Sequence, residues 1–197
     1  MNSAKSIFIH SSSIVEKGAK IGEGSKIWHW SHISSGAIIG KDCTFGQNVY
    51  VAKKVTIGNN VKVQNNVSIY DNVYIEDNVF CGPSMVFTNV LNPRSEVVRK
   101  EEYKDTIVRK GVTIGANATI ICGVELGKYS FIGAGALINK DTLPFSLVVG
   151  NPGKQIGWMS IYGERIKLPL IGEGSWVCPI QGITYQLEGQ ILKVKKL

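Results

Sequence analysis

The sequence predicts an all-β fold, a parallel β-helix, and three features point to it together. Fourteen positions spaced six apart are all apolar: Ile9, Val15, Ile21, Ile27, Ile33, Ile39, Phe45, Val51, Ile57, Val63, Ile69, Ile75, Cys81 and Phe87. At a 44% hydrophobic content such a run arises by chance with a probability on the order of 10⁻⁵. Four residues after each lies a smaller inward position, first Ser13, Ala19, Ser25, Ser31, Ala37 and Cys43, then Val49, Val55, Val61, Val67, Val73 and Val79; Met85 is the one bulky departure. Between them stand turn formers such as Gly58-Asn59-Asn60, Gln64-Asn65-Asn66 and Asp71-Asn72, which tolerate the left-handed backbone of a corner. A helix with a period of 3.6 cannot keep every sixth residue on one face. Three hexads per coil can, and they stack residues 18 apart in columns.

The first stretch of hexads ends at Phe87, and the frame resumes at Val108, Ile114, Ile120, Leu126, Ile132 and Ile138, with Val112, Ala118, Val124, Ser130 and Ala136 as small partners. From Phe87 to Val108 is 21 residues, not a multiple of six, so residues 88–107 must leave the coil as an extruded loop. That loop carries Arg94, Arg99, Lys100, Tyr103 and Lys104. A long loop inside a regular solenoid costs entropy and marks a functional element. After Asn139 the repeat fades, and Val149-Gly150-Asn151-Pro152-Gly153 ends it. The expected division is a β-helix domain over 1–150 and a C-terminal cap over 151–197. Within the cap, residues 155–167 read as a short helix. Thr184–Leu187 and Gln190–Val194, split by Glu188-Gly189, read as a hairpin.

Composition narrows the function. A chain of 197 residues with 44% hydrophobic and 19% charged residues is a folded globular protein. No run approaches the ~18 apolar residues of a membrane span, and Met1-Asn2-Ser3-Ala4-Lys5 lacks a signal-peptide core, so a cytoplasmic protein without membrane insertion is expected. Cys43, Cys81, Cys122 and Cys178 are scattered, and with only His10, His29 and His32 beside them no metal site is expected. The net charge of +7 is dispersed apart from Lys193-Val194-Lys195-Lys196. It fits either a solvated surface or a site for polyanionic small molecules. With no basic stripe interleaved with aromatics, nucleic acid is not an expected partner.

Inward aliphatics followed by glycine, as in Ile21-Gly22, Ile39-Gly40, Ile57-Gly58, Ile114-Gly115 and Ile132-Gly133, resemble the signature of hexapeptide-repeat acyltransferases over residues 9–143. The resemblance implies a left-handed β-helix, an exception to the right-handed crossover rule, and a homotrimer with acyl-CoA in grooves between neighbouring coils. Trp28-His29-Trp30, Gly46-Gln47-Asn48-Val49-Tyr50, Gln64 through Asp71, Phe80 through Asn89 with Asn92-Pro93-Arg94, and Gly150-Asn151-Pro152 resemble the 3-N-acetyltransferases of nucleotide-linked amino sugars. The nearest match is to the group acting on UDP-2-acetamido-3-amino-2,3-dideoxyglucuronate in O-antigen synthesis. The alternatives are the related enzymes of dTDP-3-amino-3,6-dideoxyhexoses and a non-catalytic β-helix scaffold.

This resemblance implies attack of a sugar amine on the thioester of acetyl-CoA, without a metal. Such an amine needs positioning and a place to lose its proton more than it needs a strong base. Asn89, whose counterpart the resemblance puts at the sugar end of the site, has the oxygen to orient the amine. Asp71, one coil below Asn89, either bonds the amine or sugar or fixes its own turn. His29 either accepts the proton or packs between Trp28 and Trp30. Water or the departing thiolate is the other acceptor. His29, Gln47 and Asn65 form one column, and Trp28, Trp30 and Tyr70 are outward aromatics that a ligand or a neighbouring subunit should cover. By motif, Trp28, Gln47, Asn48, Lys62, Gln64, Asn65, Tyr70, Arg94 and Tyr103 bind the nucleotide sugar. Gly115, Ala116, Gly133, Ala134 and Gly135 let the pantetheine arm approach the backbone. Lys140 and Arg99 or Lys100 are the candidates for the CoA phosphates.

Overall fold

The computed structural model describes residues 5–195, so Met1–Ala4 of the segment read for a signal peptide and Lys196 of the basic tail lie outside the described residues. Each hexad forms a short strand that pairs in parallel with the strand 18 residues on, as in Lys26↔Thr44, Thr44↔Lys62 and Lys62↔Phe80. The strands stack into three sheets, giving a β-solenoid of about eight turns with the architecture of a left-handed β-helix. The first face runs from Phe8–Ile9 through Phe131–Ile132 to Ser146–Val149. The second runs from Ile14–Val15 to Leu137–Ile138, and the third from Lys20–Ile21 to Glu125–Leu126.

The inward column is the core. From Ile27 onward it is buried almost completely, whereas Ile9 in the first described coil is 44% exposed. The inward serines are satisfied at the corners: Ser31 Oγ donates to Gly46 O at 2.9 Å and accepts from Val49 N at 3.2 Å. Ser25 does the same with Gly40 O and Cys43 N. Each buried hydroxyl thus replaces the water it has lost. Asn48, Asn60, Asn66, Asn72 and Asn78 hold corner positions at φ between 53° and 67°, the left-handed region. The glycine after each inward aliphatic has a different cause. A Cβ on Gly115 would stand 2.7 Å from Gly133 C and 2.8 Å from Ala134 Cα, so the next coil needs that space.

At the loop the spacing of paired residues rises from 18 to 33, as in Val73↔Thr106 and Phe80↔Thr113, so the extrusion adds 15 residues and the core resumes in register. Its base is closed by Lys104 N donating to Asn89 O at 3.1 Å and by Thr106 N donating to Asn72 O at 2.9 Å. On the third face Arg109 clamps two carboxylates, with two bonds to Glu125 at 2.8 and 2.7 Å and one to Glu76 at 2.9 Å. Arg109 holds the Glu125 carboxyl below its usual range. Burial alone would raise Glu76, but Arg109 and the Lys110 N–H bring it below that range as well.

The cap departs from the helix expected over 155–167. Lys154–Met159 is a strand that turns back antiparallel on Ser146–Val149, and Arg165–Ile166 pairs with it in turn. The last parallel strand leaves an open edge of backbone groups, and an added strand satisfies it where a helix would not. The expected hairpin forms from Thr184–Gly189 and Ile191–Lys195, joined by a third strand, Gly172–Val177. Phe145, Trp158, Ile166, Cys178, Tyr185, Leu187 and Leu192 make a second core beneath it. Among the described residues no helix is long and apolar enough to cross a membrane.

Candidate active site

The predicted residues collect at two successive corners of the triangular coil. At the first corner, between the first and second faces, Trp28-His29-Trp30, Gly46-Gln47-Asn48 and Gln64-Asn65-Asn66 stack on consecutive coils. They are held by backbone bonds from Asn48 N to His29 O and from Asn66 N to Gln47 O, both 2.9 Å. A cavity of 360 Å³ opens here, lined by Trp28, His29, Thr44, Gly46, Gln47, Val63, Gln64 and Asn65. Five of the predicted site residues, Trp28, His29, Gln47, Gln64 and Asn65, therefore share one concavity. Asn65 Oδ1 accepts from Gln47 N at 2.9 Å, while Asn48 is used in the corner ladder, its amide donating to Asn66 at 3.1 Å. His29 does not sit simply between two tryptophans. Its ring lies 3.6 Å from that of His10, and its Nδ1 is buried with no hydrogen-bond partner among the described residues.

The second corner, between the second and third faces, holds the loop. Tyr70 and Asn89 line a cavity of 570 Å³ with Val86, Phe87, Thr88, Val90, Leu91, Pro93 and Ile121. Thr88 Oγ1 accepts from Cys122 N at 2.9 Å, which ties the loop's first residue to the next coil. Asp71 lies on the corner below and outside this lining; its Oδ1 accepts from Lys54 N at 3.0 Å and fixes the turn. On the loop, Arg94 and Lys100 are exposed, and Tyr103 is half-buried with its carbonyl accepting from the Asn72 amide at 3.4 Å. Arg99 faces Glu102, with two bonds of 2.8 and 2.9 Å from one guanidinium nitrogen, and its Nε is buried with no partner among the described residues. Its charge is thus already matched within the loop.

The small-residue stripe stacks on the first corner, Gly135 N donating to Ala116 O at 2.8 Å. Gly115 and Gly133 are accounted for by the neighbouring backbone and by Val149, while Ala134 and Gly135 face solvent. Lys140 stands apart from that stripe, at a 320 Å³ cavity shared with Gln155 and Gln190 near the cap. Lys62 is exposed on the first face, in register with Thr44 and Phe80. Between the two corners runs an aromatic row that sequence reasoning did not single out. His32 Nε2 is 2.6 Å from Glu16 Oε1, the His32 ring meets Tyr50 edge-on at 5.6 Å, and Tyr50 lies 6.3 Å from Tyr70. Bonds from Ser35 N and His32 hold the Glu16 carboxyl below its usual range. The signal was present: His32 and Tyr50 are outward neighbours of inward Ile33 and Val51.

Chemically, the second-corner cavity offers a carboxamide and a phenol in a largely apolar lining where the Thr88 hydroxyl is already bonded to Cys122 N, suited to orienting a neutral nucleophile. The first-corner cavity offers one indole and three carboxamides. Among the described residues no group of His, Cys, Asp and Glu side chains is placed to hold a metal ion.

Residues 8–53 and 105–140 match the family described as bacterial transferase hexapeptide (six repeats), and residues 36–71 match the hexapeptide repeat of succinyl-transferase. Over 67 residues the chain is 41% identical to the dTDP-3-amino-3,6-dideoxy-alpha-D-galactopyranose 3-N-acetyltransferase of Aneurinibacillus thermoaerophilus, a match covering 34% of this chain and 35% of that protein. Over 79 residues it is 42% identical to a chloramphenicol acetyltransferase of Escherichia coli, covering 40% and 37%. These matches span little more than a third of either relative. The acetyltransferase domain of PglB from Neisseria gonorrhoeae, solved with acetyl coenzyme A, shares the fold with a TM-score of 0.53 and 19% identity, over 79% of this chain and 60% of that one.

Proposed function

Because the chain belongs to the hexapeptide-repeat transferase family, we propose that it is an N-acetyltransferase moving acetyl from acetyl-CoA to the 3-amino group of a nucleotide-linked sugar. The observation that carries this reading is the pairing of Asn89 with Tyr70 in the cavity at the base of the extruded loop. The Asn89 oxygen accepts a hydrogen bond from the neutral amine and aims its lone pair at the thioester. Tyr70 forms the wall beside it. With Asp71 engaged by Lys54 N, no carboxylate among the described residues lines that cavity, so the proton leaves to water or to the departing thiolate. Ala116, Ala134 and Gly135 provide the low surface along which the acyl donor runs.

The two corners carry complementary parts of one site, and a homotrimer would bring the first corner of one subunit against the second corner of the next. The preferred acceptor is UDP-2-acetamido-3-amino-2,3-dideoxyglucuronate, for O-antigen assembly in the cytoplasm where both substrates are made. The 3-N-acetyltransferase relative supports a dTDP-3-amino-3,6-dideoxyhexose as the second reading. A thiol-release assay with acetyl-CoA separates them: release with the uronate alone upholds the first, and release with the dTDP sugar alone upholds the second. Release with neither refutes the class. In the active pairing Asn89→Ala should lower kcat about 100-fold, while Cys81→Ala, in the core beneath, should mainly lower the Tm. Equal small losses in both would remove Asn89 from the mechanism.

A further inference from the structure

The first-corner cavity has the chemistry of a nucleoside diphosphate site; the inference rests on the nucleotide-sugar reading above and adds where the nucleotide lies. Its wall is Trp28, 38% exposed and nearly parallel to the His29 ring, at 13°. Its polar lining is three carboxamides, with the Thr44 hydroxyl and the His29 imidazole beside them. Asn65 commits its oxygen to Gln47 N and keeps its NH₂ free, and among the described residues the Gln47 and Gln64 side chains have no hydrogen-bond partner. A heterocyclic base needs this combination, an aromatic face to stack on and groups that both donate and accept in its plane. A hexose meets an indole through its C–H face, but it has no planar edge of donors and acceptors to match three carboxamides set around that face.

The register of the first face supplies the rest. Thr44, which also lines the cavity, pairs with Lys26 on one side and Lys62 on the other. Both lysines point outward and are exposed, and among the described residues neither has a carboxylate partner. Strands in a sheet lie about 4.8 Å apart, so the two ammonium groups rise about 10 Å apart with Thr44 between them. A diphosphate lying over Thr44 is within reach of both. We propose that this cavity binds a nucleoside diphosphate, with its base on Trp28, Gln47, Gln64 and Asn65 and its diphosphate between Lys26 and Lys62. Lys26 belongs to none of the matched motifs; the strand pairing alone brings it to the site.

Titration calorimetry of the full chain with UDP, dTDP, uridine, ADP and CoA tests this. UDP or dTDP should bind, and Lys26→Ala should weaken that binding about tenfold while leaving uridine unchanged. Gln64→Ala should weaken nucleotide and nucleoside alike. Lys20→Ala, the same loss of charge on the third face, should change neither. Equal losses in Lys26→Ala and Lys20→Ala would overturn the proposal by reducing it to net charge. So would CoA binding that matches UDP and is lost in the same variants, or nucleotide binding unaltered in all of them, whereas ADP binding lost in the same variants upholds it. Thiol release keeps the two readings apart: turnover of a nucleotide sugar with an unchanged KM in Lys26→Ala and Gln64→Ala removes the cavity assignment and leaves the reaction standing. A wild-type chain that binds UDP through Gln64 and Lys26 but acetylates no nucleotide sugar removes the reaction and keeps the site.

Discussion

Trp30 holds its backbone at φ 55°, in a column whose next members at the same corner are Asn48 and Asn66. A bulky side chain in the left-handed region costs about 1–2 kcal/mol, whereas asparagine adopts it readily. The Trp30 side chain recovers little of that by burial, since it is 64% exposed. Trp30→Asn should therefore stabilise the isolated chain by about 1 kcal/mol, read as a higher urea midpoint at unchanged slope. A lower midpoint would mean that the His29 contact outweighs the backbone strain. A residue that weakens its own fold and faces solvent is expected to serve an interaction, and the same variant should show that cost as weaker assembly or substrate binding.

At the scale of elements, the third face offers a pH test. Arg109 keeps the Glu125 carboxyl below its usual value of 4.5, so the stability drawn from this pair is complete above that value and is lost as pH falls through the lowered one. Arg109→Ala should be less stable at neutral pH, and the gap to wild type should close as the solution is acidified below 4.5. A gap that stays constant down to acid unfolding would show that the guanidinium acts by packing alone. The elements also show what was legible in the residues. The hexads were readable because each inward position answers to one requirement, burial against the coils above and below, and Ile27, Val63 and Ile120 meet it alike. The segment 155–167 was not, because its strand is dictated by the open edge of Ser146–Val149, which no local pattern in Gln155-Ile156-Gly157-Trp158 announces. Of the site, the corner column of Gln47 and Asn65 followed from the 18-residue spacing. Thr44 and Lys26 did not, since outward positions on a face carry no periodic signature until the register is known.

For the whole molecule, the proposed division of the site between two corners of neighbouring subunits has a measurable consequence. Neither Asn89→Ala nor Gln64→Ala should turn over well alone, yet subunits of the two variants, mixed and reassembled, should recover activity, with about a quarter of the interfaces pairing two intact corners in a trimer. No recovery after verified exchange would mean that each chain works by itself. The scaffold is a one-dimensional stack in which every coil contacts only its neighbours. The segment that leaves after Phe87, 15 residues longer than an ordinary corner, rejoins at Thr106 without disturbing a single inward column. Extra chain at a corner is therefore invisible to the core. In a lineage of such molecules, substrate choice is free to diverge through the lengths and sequences of corner excursions while the hexads stay fixed, and an engineer could exchange the excursion between Phe87 and Thr106 as a cassette.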